Sequence, residues 1–459
     1  MATSAFSRRD AHRSIAKSIE LELSLPGAIS GRRFTEFLDQ QRRLGLVQGE
    51  RPLCRHLSPF VITESRYAEL RRAAEHVTSA LEKLGRRALA DDALAEAIGL
   101  TPEERALAAI DPGYPELLAV GRLDALLCGD HFAFIEMNAD SPGGIVDQLL
   151  VERTLFELPH LKSVRSRSDV ATPRPHLGAL HALLRVYASS GRGGVPTIAL
   201  VDFESTETLG EIRVLAESFS QAGYPSFFAD PRALRYDGRR LTAHGRDVDL
   251  VYRRVLVSEL LEDQGMDHPL IRAYRDGAVC VANSFRTKAV NKKATFAALG
   301  DPAYAPLFTD AERRAIAEHV PFTRRVVRGK VDFHGERVDL YALLSRDRTR
   351  FVLKPNDDYG GRGVVLGWTS SEAEWAAALD AAEGANVIAQ ERTEAGIARM
   401  PAFRNGEIVW EDVYFDLCPF VFCGRMEGGI VRLSSTGITN VSAGAGVSSL
   451  LVVSEDELR

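Results

Sequence analysis

A short apolar segment that ends in a lysine and runs into a glycine-rich turn constrains this chain more than any other feature. The segment is Leu353-Lys-Pro-Asn-Asp-Asp-Tyr-Gly-Gly-Arg-Gly-Val364. The residues before it are β-prone, and Pro355 then ends ladder pairing because it has no amide hydrogen. The turn contains three glycines, Gly360, Gly361 and Gly363. Without a Cβ, such a backbone can turn its N–H groups toward an anion. Val364–Leu366 is predicted to return as a second strand, which makes the loop 357–363 a flap.

This loop differs from the two common nucleotide-binding loops. No Gly-Lys-Ser/Thr follows it, so it is not a Walker loop. A strand rather than a helix follows the glycines, so it is not a dinucleotide fingerprint. Taken alone, the segment is equally compatible with an ordinary glycine-rich hairpin turn.

A further β-prone run, Asn386–Glu391, ends in Gln390 and Glu391. Such a strand could line an adenosine, with its backbone at the adenine edge and a carboxylate at the ribose hydroxyls. The alternative is an edge strand whose last two polar residues are solvated.

Two strands much earlier in the chain are predicted to bring four polar side chains to one point. Alternation places Arg122 with Asp124 on one strand face, and Glu136 with Asn138 on the next. Cys128–His131 reads as the tight turn that joins these strands into a hairpin. Adjacent oxygen donors suit Mg²⁺, so Asp124, Glu136 and Asn138 are the predicted metal ligands. The alternative is a solvated face with a cross-strand ion pair.

The order of these residues resembles a known motif. Arg122-x-Asp124, followed twelve positions after Asp124 by Glu136-x-Asn138-Ala-Asp-Ser-Pro, resembles the metal motif of the glutathionylspermidine synthetase family. Members of that family are circularly permuted ATP-grasp ligases, in which the metal residues precede the glycine loop, as here. The basic segment Phe285–Lys292 also resembles the family, with Arg286 where a lysine is usual. The resemblance covers about residues 115 to 450.

The resemblance implies ATP and Mg²⁺ as cofactors and assigns roles to particular residues. Arg122 would stabilise charge in the transition state. The nucleotide-binding residues would be Arg286, Lys292, Lys354, Gly360, Gly361, Gly363, Gln390 and Glu391. The expected activity is an ATP-dependent ligase that joins a small-molecule carboxylate to an amine through an acyl phosphate. The alternatives are a small-molecule kinase or phosphotransferase, and a non-catalytic nucleotide-binding module. The motif match implies neither spermidine nor glutathione as a substrate.

The expected fold is a mixed α/β (α+β) ATP-grasp fold, circularly permuted, with an N-terminal helical region. Its predicted regions are 1–115 (helical), 116–195 (metal-binding part), 196–290 (α/β substrate-side subdomain) and 291–459 (nucleotide-binding part with the flap). In the first region, Tyr67–Leu84 has helical spacing with Gly85 as its stop, and Thr101 is a predicted N-cap.

Charged residues at two further places are candidates for ligand binding. Asp202, Arg253 and Arg254 follow predicted buried strands, where an arginine pair could hold a substrate carboxylate. A structural salt bridge is the equal alternative. Arg432 is a candidate for phosphate binding, beside the Gly/Ser-rich stretch 437–449.

Composition excludes several other classes of protein. The net charge of −6 gives no basic field, so nucleic acid is not an expected partner. No apolar run is long enough to cross a membrane, and Met1–Asp10 has no apolar core of an export signal. The five cysteines have no zinc spacing. A cytoplasmic protein is therefore expected.

Overall fold

The computed structural model describes residues 15–162, 170–358 and 360–455. Met1–Asp10, where no export signal is expected, lies outside these residues. The α-helices are Ile15–Leu23, Gly31–Leu44, Glu64–Ala88, Asp92–Ala97, Pro102–Ala109, Asp147–Leu155, Pro175–Ser189, Leu209–Gln221, Val257–Gln264, Pro269–Arg275, Lys288–Asn291, Ala294–Leu299, Asp310–His319, Leu340–Arg346 and Glu372–Ala382.

The strands form three larger sheets and several small ones. They are Val47–Gln48, Arg51–Pro52, Phe60–Thr63, Val120–Cys128, His131–Asn138, Val170–Ala171, Ile198–Val201, Ser226–Ala229, Leu234–Tyr236, Leu241–Ala243, Arg246–Asp247, Leu250–Arg253, Cys280–Ala282, Thr323–Arg325, Lys330–Phe333, Glu336–Asp339, Phe351–Pro355, Val365–Leu366, Val387–Glu391, Gly396–Arg404, Glu407–Phe422, Arg425–Ser434, Gly446–Ser448 and Leu450–Val453.

The largest sheet, called here the central sheet, has six antiparallel strands. The strand Val120–Cys128 pairs on one side with His131–Asn138 and on the other with Glu407–Phe422. In the second pairing, Arg122 lies opposite Phe420. The hairpin that carries the predicted metal ligands, Val120–Asn138, is called here the metal hairpin, and this register places it in one sheet with the last third of the chain.

Two further sheets have four strands each. One is parallel, with the order Cys280–Ala282, Leu250–Arg253, Ile198–Val201 and Ser226–Ala229, as expected for an open α/β unit. The other, called here the Lys354 sheet, is antiparallel. Its order is Thr323–Arg325, Val387–Glu391, Phe351–Pro355 and Val365–Leu366.

The long helix Glu64–Ala88 packs one face into the apolar core that the central sheet shares. Gly85 does not end this helix, contrary to the prediction, but lies inside it. A Cβ at Gly85 would stand 2.5 Å from Leu117 Cδ2 and 2.7 Å from Val290 Cγ1. The residue is therefore a glycine because the helix approaches its neighbours closely, not because the chain must turn.

The N-terminal region is built into the rest of the molecule. Phe60–Thr63 pairs in parallel with Leu450–Val453, near the other end of the chain. The predicted cap Thr101 is confirmed as part of a capping box with Glu104. The region boundaries at 115, 195 and 290 stay predictions. Among the described residues, no helix combines the length and hydrophobicity that a membrane span requires.

Candidate functional site

Two neighbouring strands of the central sheet bring the predicted metal ligands together. Asp124 lies opposite Glu136, and Arg122 lies opposite Asn138. Asn138 Nδ2 is 2.9 Å from Asp124 Oδ1 and 3.5 Å from Glu136 Oε1. Because alternate residues of a strand share a face, the four side chains meet on one side of the sheet.

Asp124 is held between two arginines. Arg122 Nε lies 2.8 Å from Asp124 Oδ1, and Arg432 Nη2 lies 2.8 Å from Asp124 Oδ2. Burial opposes the charge of this carboxyl, but the two guanidiniums outweigh burial and hold the pKa of Asp124 below its usual range. Arg432 also pairs with the buried Asp416 at 2.6 Å, and Asp416 accepts a further hydrogen bond from Thr439. The Gly/Ser-rich stretch thus folds against this cluster.

The hairpin includes oxygen donors of the kind that magnesium prefers. Asp124, Glu136 and Asn138 offer two carboxylates and one amide, and Mg²⁺ is commonly held by one or two carboxylates with substrate phosphates. Lys293 Nζ lies 3.4 Å from Glu136 Oε2, so a cation already stands beside this carboxylate. Within the described part of the chain, no group of three or more His, Cys, Asp or Glu side chains is arranged to hold a metal.

Lys354 reaches the hairpin through a buried glutamine. Its Nζ lies 2.7 Å from Gln390 Oε1, and Gln390 Nε2 lies 3.1 Å from the carbonyl oxygen of Ile135. Burial lowers the pKa of Lys354 to about 8; the nearby Glu136 carboxylate opposes this shift and Lys293 adds to it. The Lys354 sheet therefore contacts the strand that bears Glu136.

Three positions of the glycine loop have backbone conformations that favour glycine. Gly360, Gly361 and Gly363 adopt φ angles of 71°, 76° and 65°, which other residues rarely adopt. The return strand is confirmed over Val365–Leu366. A Cβ at Gly363 would also stand 2.7 Å from Pro355 Cγ, so two separate constraints select glycine there.

Lys292 belongs to a buried ionic cluster that the sequence did not reveal. Its Nζ lies 2.8 Å from the Glu104 carboxylate and 2.5 Å from Asp357 Oδ2. Lys288, four residues earlier, places its Nζ 2.7 Å from Asp357 Oδ1. Lys288 belongs to the basic segment Phe285–Lys292 that the sequence singles out, and this is the signal that could have identified it.

Two predicted nucleotide residues are not brought to this point. Arg286 Nε donates to the carbonyl oxygen of Ala108 at 3.2 Å. The Glu391 carboxylate pairs with Arg350 at 2.8 Å and with His334 at 2.9 Å. Neither side chain contacts the hairpin residues through a described hydrogen bond. Their roles in nucleotide binding stay predictions.

The two arginines at the end of the parallel sheet, Arg253 and Arg254, pair with different carboxylates. Arg253 is fully buried and places Nη1 2.5 Å from Asp140 Oδ1, which favours the structural interpretation. Arg254 Nε lies 3.2 Å from Ser141 Oγ, and its Nη1 lies 3.4 Å from Glu211 Oε1. Arg254 thus faces the Ser-Pro-Gly-Gly turn that follows the metal motif.

The pKa values of two carboxyl groups near Arg254 are raised. Burial, with the neighbouring Glu211 carboxylate, raises the pKa of Asp147 to about 7. Burial also raises the pKa of Asp202 to about 6, although Arg254 partly offsets it. Arg122 opposes the rise in the pKa of Asp147 electrostatically. The acidic wall formed by Asp147, Asp202 and Glu211 therefore lies next to the metal hairpin at Asp147. Asp147 opens a helix and looks ordinary in the sequence; only the tertiary structure sets it beside Glu211.

Comparison with known proteins shows the fold. The chain is similar to a solved structure, a glutathione synthetase-like effector from Globodera pallida in its apo form. The TM-score is 0.60 over 94% of this chain and 99% of that chain, at 12% sequence identity. A lower TM-score of 0.39, at 13% identity, relates 83% of this chain to 85% of a proposed gamma-glutamylcysteine synthetase from Methylobacillus flagellatus. No protein-family model and no curated protein matches the sequence. The chain therefore has a synthetase-like mixed α/β fold.

Proposed function

We propose that this protein is an ATP-dependent carbon–nitrogen ligase that joins a small-molecule carboxylate to an amine. The observation that supports this most directly is the contact chain from Lys354 through Gln390 to the strand that bears Glu136. It sets a lysine and a glycine-rich loop against a pair of carboxylates, and a bound metal triphosphate needs these groups. The fold similarity to a glutathione synthetase-like effector is consistent with it. The architecture we propose is a circularly permuted ATP-grasp fold.

In this proposal ATP lies between the Lys354 sheet and the metal hairpin. Lys354 neutralises phosphate oxygens, and the N–H groups of the glycine loop bind them. The strand Val387–Glu391 lines the adenosine. Asp124 and Glu136, with Asn138, would hold Mg²⁺, which supplies charge neutralisation to the phosphates when it is bound.

The reaction then proceeds in two transfers. An oxygen of the substrate carboxylate attacks the γ-phosphorus, the bond from that phosphorus to the leaving oxygen breaks, and ADP departs. The amine nitrogen next attacks the carbonyl carbon of the acyl phosphate, phosphate leaves, and the amine loses a proton as the amide forms. Arg122 stabilises the negative charge that develops in both steps, because its guanidinium is already oriented by Asp124.

The wall of Asp147, Asp202 and Glu211 is the proposed binding surface for the substrates. Its three carboxylates suit a cationic amine, and Arg254 suits a carboxylate. Asp147 also interacts electrostatically with Arg122, which connects this wall to the residue proposed to stabilise the transition state. We also propose a cytoplasmic location, which agrees with the free state of all five cysteines.

The test is a screen of acids and amines for release of ADP and phosphate in the presence of Mg²⁺. Hydroxylamine should trap the acyl phosphate as a hydroxamate, and the true amine should suppress that product. Glu136→Gln, which removes one predicted metal ligand, should abolish both signals, whereas Glu318→Gln on an exposed helix should leave them unchanged.

Two outcomes would overturn the proposal. A stable phosphorylated product without hydroxamate would show a phosphotransferase instead. ATP binding without turnover across a broad panel of acids and amines would show a nucleotide-binding module.

A further inference from the structure

Two buried lysines next to the proposed nucleotide site bind a carboxylate of the protein itself. We infer that Lys288 and Lys292 form a second phosphate-binding position, and that Asp357 is an internal anion which a phosphate group of the ligand displaces. This inference rests on the proposed use of ATP, and it adds Lys288 and Asp357 to the residues that determine nucleotide affinity.

The geometry around Asp357 is that of a bound oxyanion. Lys288 Nζ lies 2.7 and 2.8 Å from its two carboxylate oxygens, and Lys292 Nζ lies 2.5 Å from one of them. Asn291 Nδ2 approaches at 3.5 Å. Donors on three residues thus converge on one carboxylate. A phosphate group, with its several oxygens, can be recognised by the same donors.

The ionic balance of the cluster leaves room for one exchangeable anion. Lys288 and Lys292 contact Glu104, and Lys288 also lies 3.6 Å from Asp140, which pairs with Arg253. These three cations exceed the two inner carboxylates by one charge. A buried excess charge is costly unless it is paired, so one more anion is required. Asp357 supplies that anion at present.

Asp357 is the outermost carboxylate of this cluster. Its side chain is 24% exposed, whereas those of Glu104 and Asp140 are 5% and 4% exposed. An anion from solvent can therefore reach the position of Asp357 without disturbing the two inner carboxylates. This difference in exposure distinguishes a replaceable anion from a permanent structural partner.

The cluster is also continuous with the rest of the proposed site. Asp357 follows Lys354 by three residues and begins the glycine loop. Lys293 Nζ lies 2.6 Å from the Asp358 carbonyl oxygen and 3.4 Å from Glu136 Oε2. A polyphosphate that contacts Lys354 and the loop is therefore close enough to compete for Lys288 and Lys292.

The test measures binding of tripolyphosphate, which lacks a nucleoside, by titration calorimetry with the full chain. Asp357→Asn frees the lysines and should tighten binding about tenfold. Lys288→Gln should weaken it about tenfold, although the ion pairs of Lys288 with described residues all involve carboxylates of the protein. Asp130→Asn, which removes the same charge from an exposed turn, should bind as the unaltered chain does.

Weaker or unchanged binding by Asp357→Asn would overturn the inference, because a permanent anchor for the loop predicts that result. If Asp357→Asn does not fold, unchanged binding by folded Lys288→Gln would overturn it instead. The proposed ligase activity is tested separately by ATP turnover of the unaltered chain. Ligase activity without tightening by Asp357→Asn rejects this inference alone, and tightening without ligase activity rejects the proposed function alone.

Discussion

Arg432 Nη2 lies 2.8 Å from Asp124 Oδ2, although 308 residues separate them in the chain. The same guanidinium pairs with Asp416, so it bridges two buried carboxylates. Arg122 contacts Asp124 from the other side, and its Nη1 donates to the carbonyl oxygen of Gly143 at 3.0 Å. The two arginines on Asp124 therefore differ in their partners: Arg432 bridges two buried carboxylates, whereas Arg122, among the described residues, pairs with Asp124 alone and is the one to which the proposed mechanism gives a role in the transition state.

This difference predicts opposite consequences for two alanine variants. Arg122→Ala should keep its fold, because Asp124 retains its ion pair with Arg432, but turnover should fall about a hundredfold or more while ATP affinity changes far less. Arg432→Ala leaves Asp416 buried without its cation and should lose about 3–5 kcal/mol of stability. Thermal unfolding and steady-state kinetics on both variants check the prediction. Equal losses of stability would contradict it.

The lowered pKa of Lys354 predicts that the use of ATP depends on pH. Burial lowers its pKa to about 8, and the charges nearest to it are those of Glu136, Lys293 and Asp124. In the free enzyme the protonated fraction falls from about 90% at pH 7 to about 10% at pH 9, so kcat/KM for ATP should fall about ninefold. Lys354→Arg keeps its charge across this range and should flatten the profile. A flat profile in the unaltered enzyme would reject the role of Lys354.

Replacement of Asp147 by asparagine is expected to stabilise the protein and to slow its reaction. Its pKa is raised to about 7, so the folded state binds this proton more tightly than the unfolded state does. Stability therefore declines as pH rises from about 4 to about 7, and the loss is complete above that range. Asp147→Asn should be more stable than the unaltered protein at pH 8 by about 1–3 kcal/mol, and the gain should shrink toward pH 4.

The same Asp147→Asn variant should turn over its amine substrate more slowly, since it lacks one carboxylate of the proposed substrate wall. Denaturant unfolding at several pH values measures the stability change, with Asp130→Asn as the exposed control. Lower stability of Asp147→Asn at pH 8 would show that the carboxylate has a favourable partner there.

Gly85 predicts a packing defect. An added methyl group would meet Leu117 and Val290 at 2.5 and 2.7 Å, which is far inside normal contact distance. Overpacking costs about 1–3 kcal/mol, and the better helix propensity of alanine offsets about 1 kcal/mol of it. Gly85→Ala should thus lower the melting temperature. Gly31→Ala, at a helix position with nothing within 4 Å, is the matched control and should not lower it.

The local pattern of the sequence was enough to predict which side chains share a face of the hairpin and where the glycine-rich turn lies. Period-two alternation is a property of any strand, so it placed Arg122 with Asp124, and Glu136 with Asn138, before a structure was known. The glycine-rich turn and its return strand were also readable from local residue types, and the structure adds that the three glycines adopt positive φ. The helix caps and the buried strands of the parallel sheet follow from equally local signals.

Only the tertiary structure decided which charges neutralise one another. Lys292 reads as a free phosphate ligand in the sequence, yet it is buried between Glu104 and Asp357. Gly85 reads as a helix stop, yet it marks a close contact with Leu117. Ion pairing and packing depend on distances between residues far apart in the chain, and no periodic pattern records those distances.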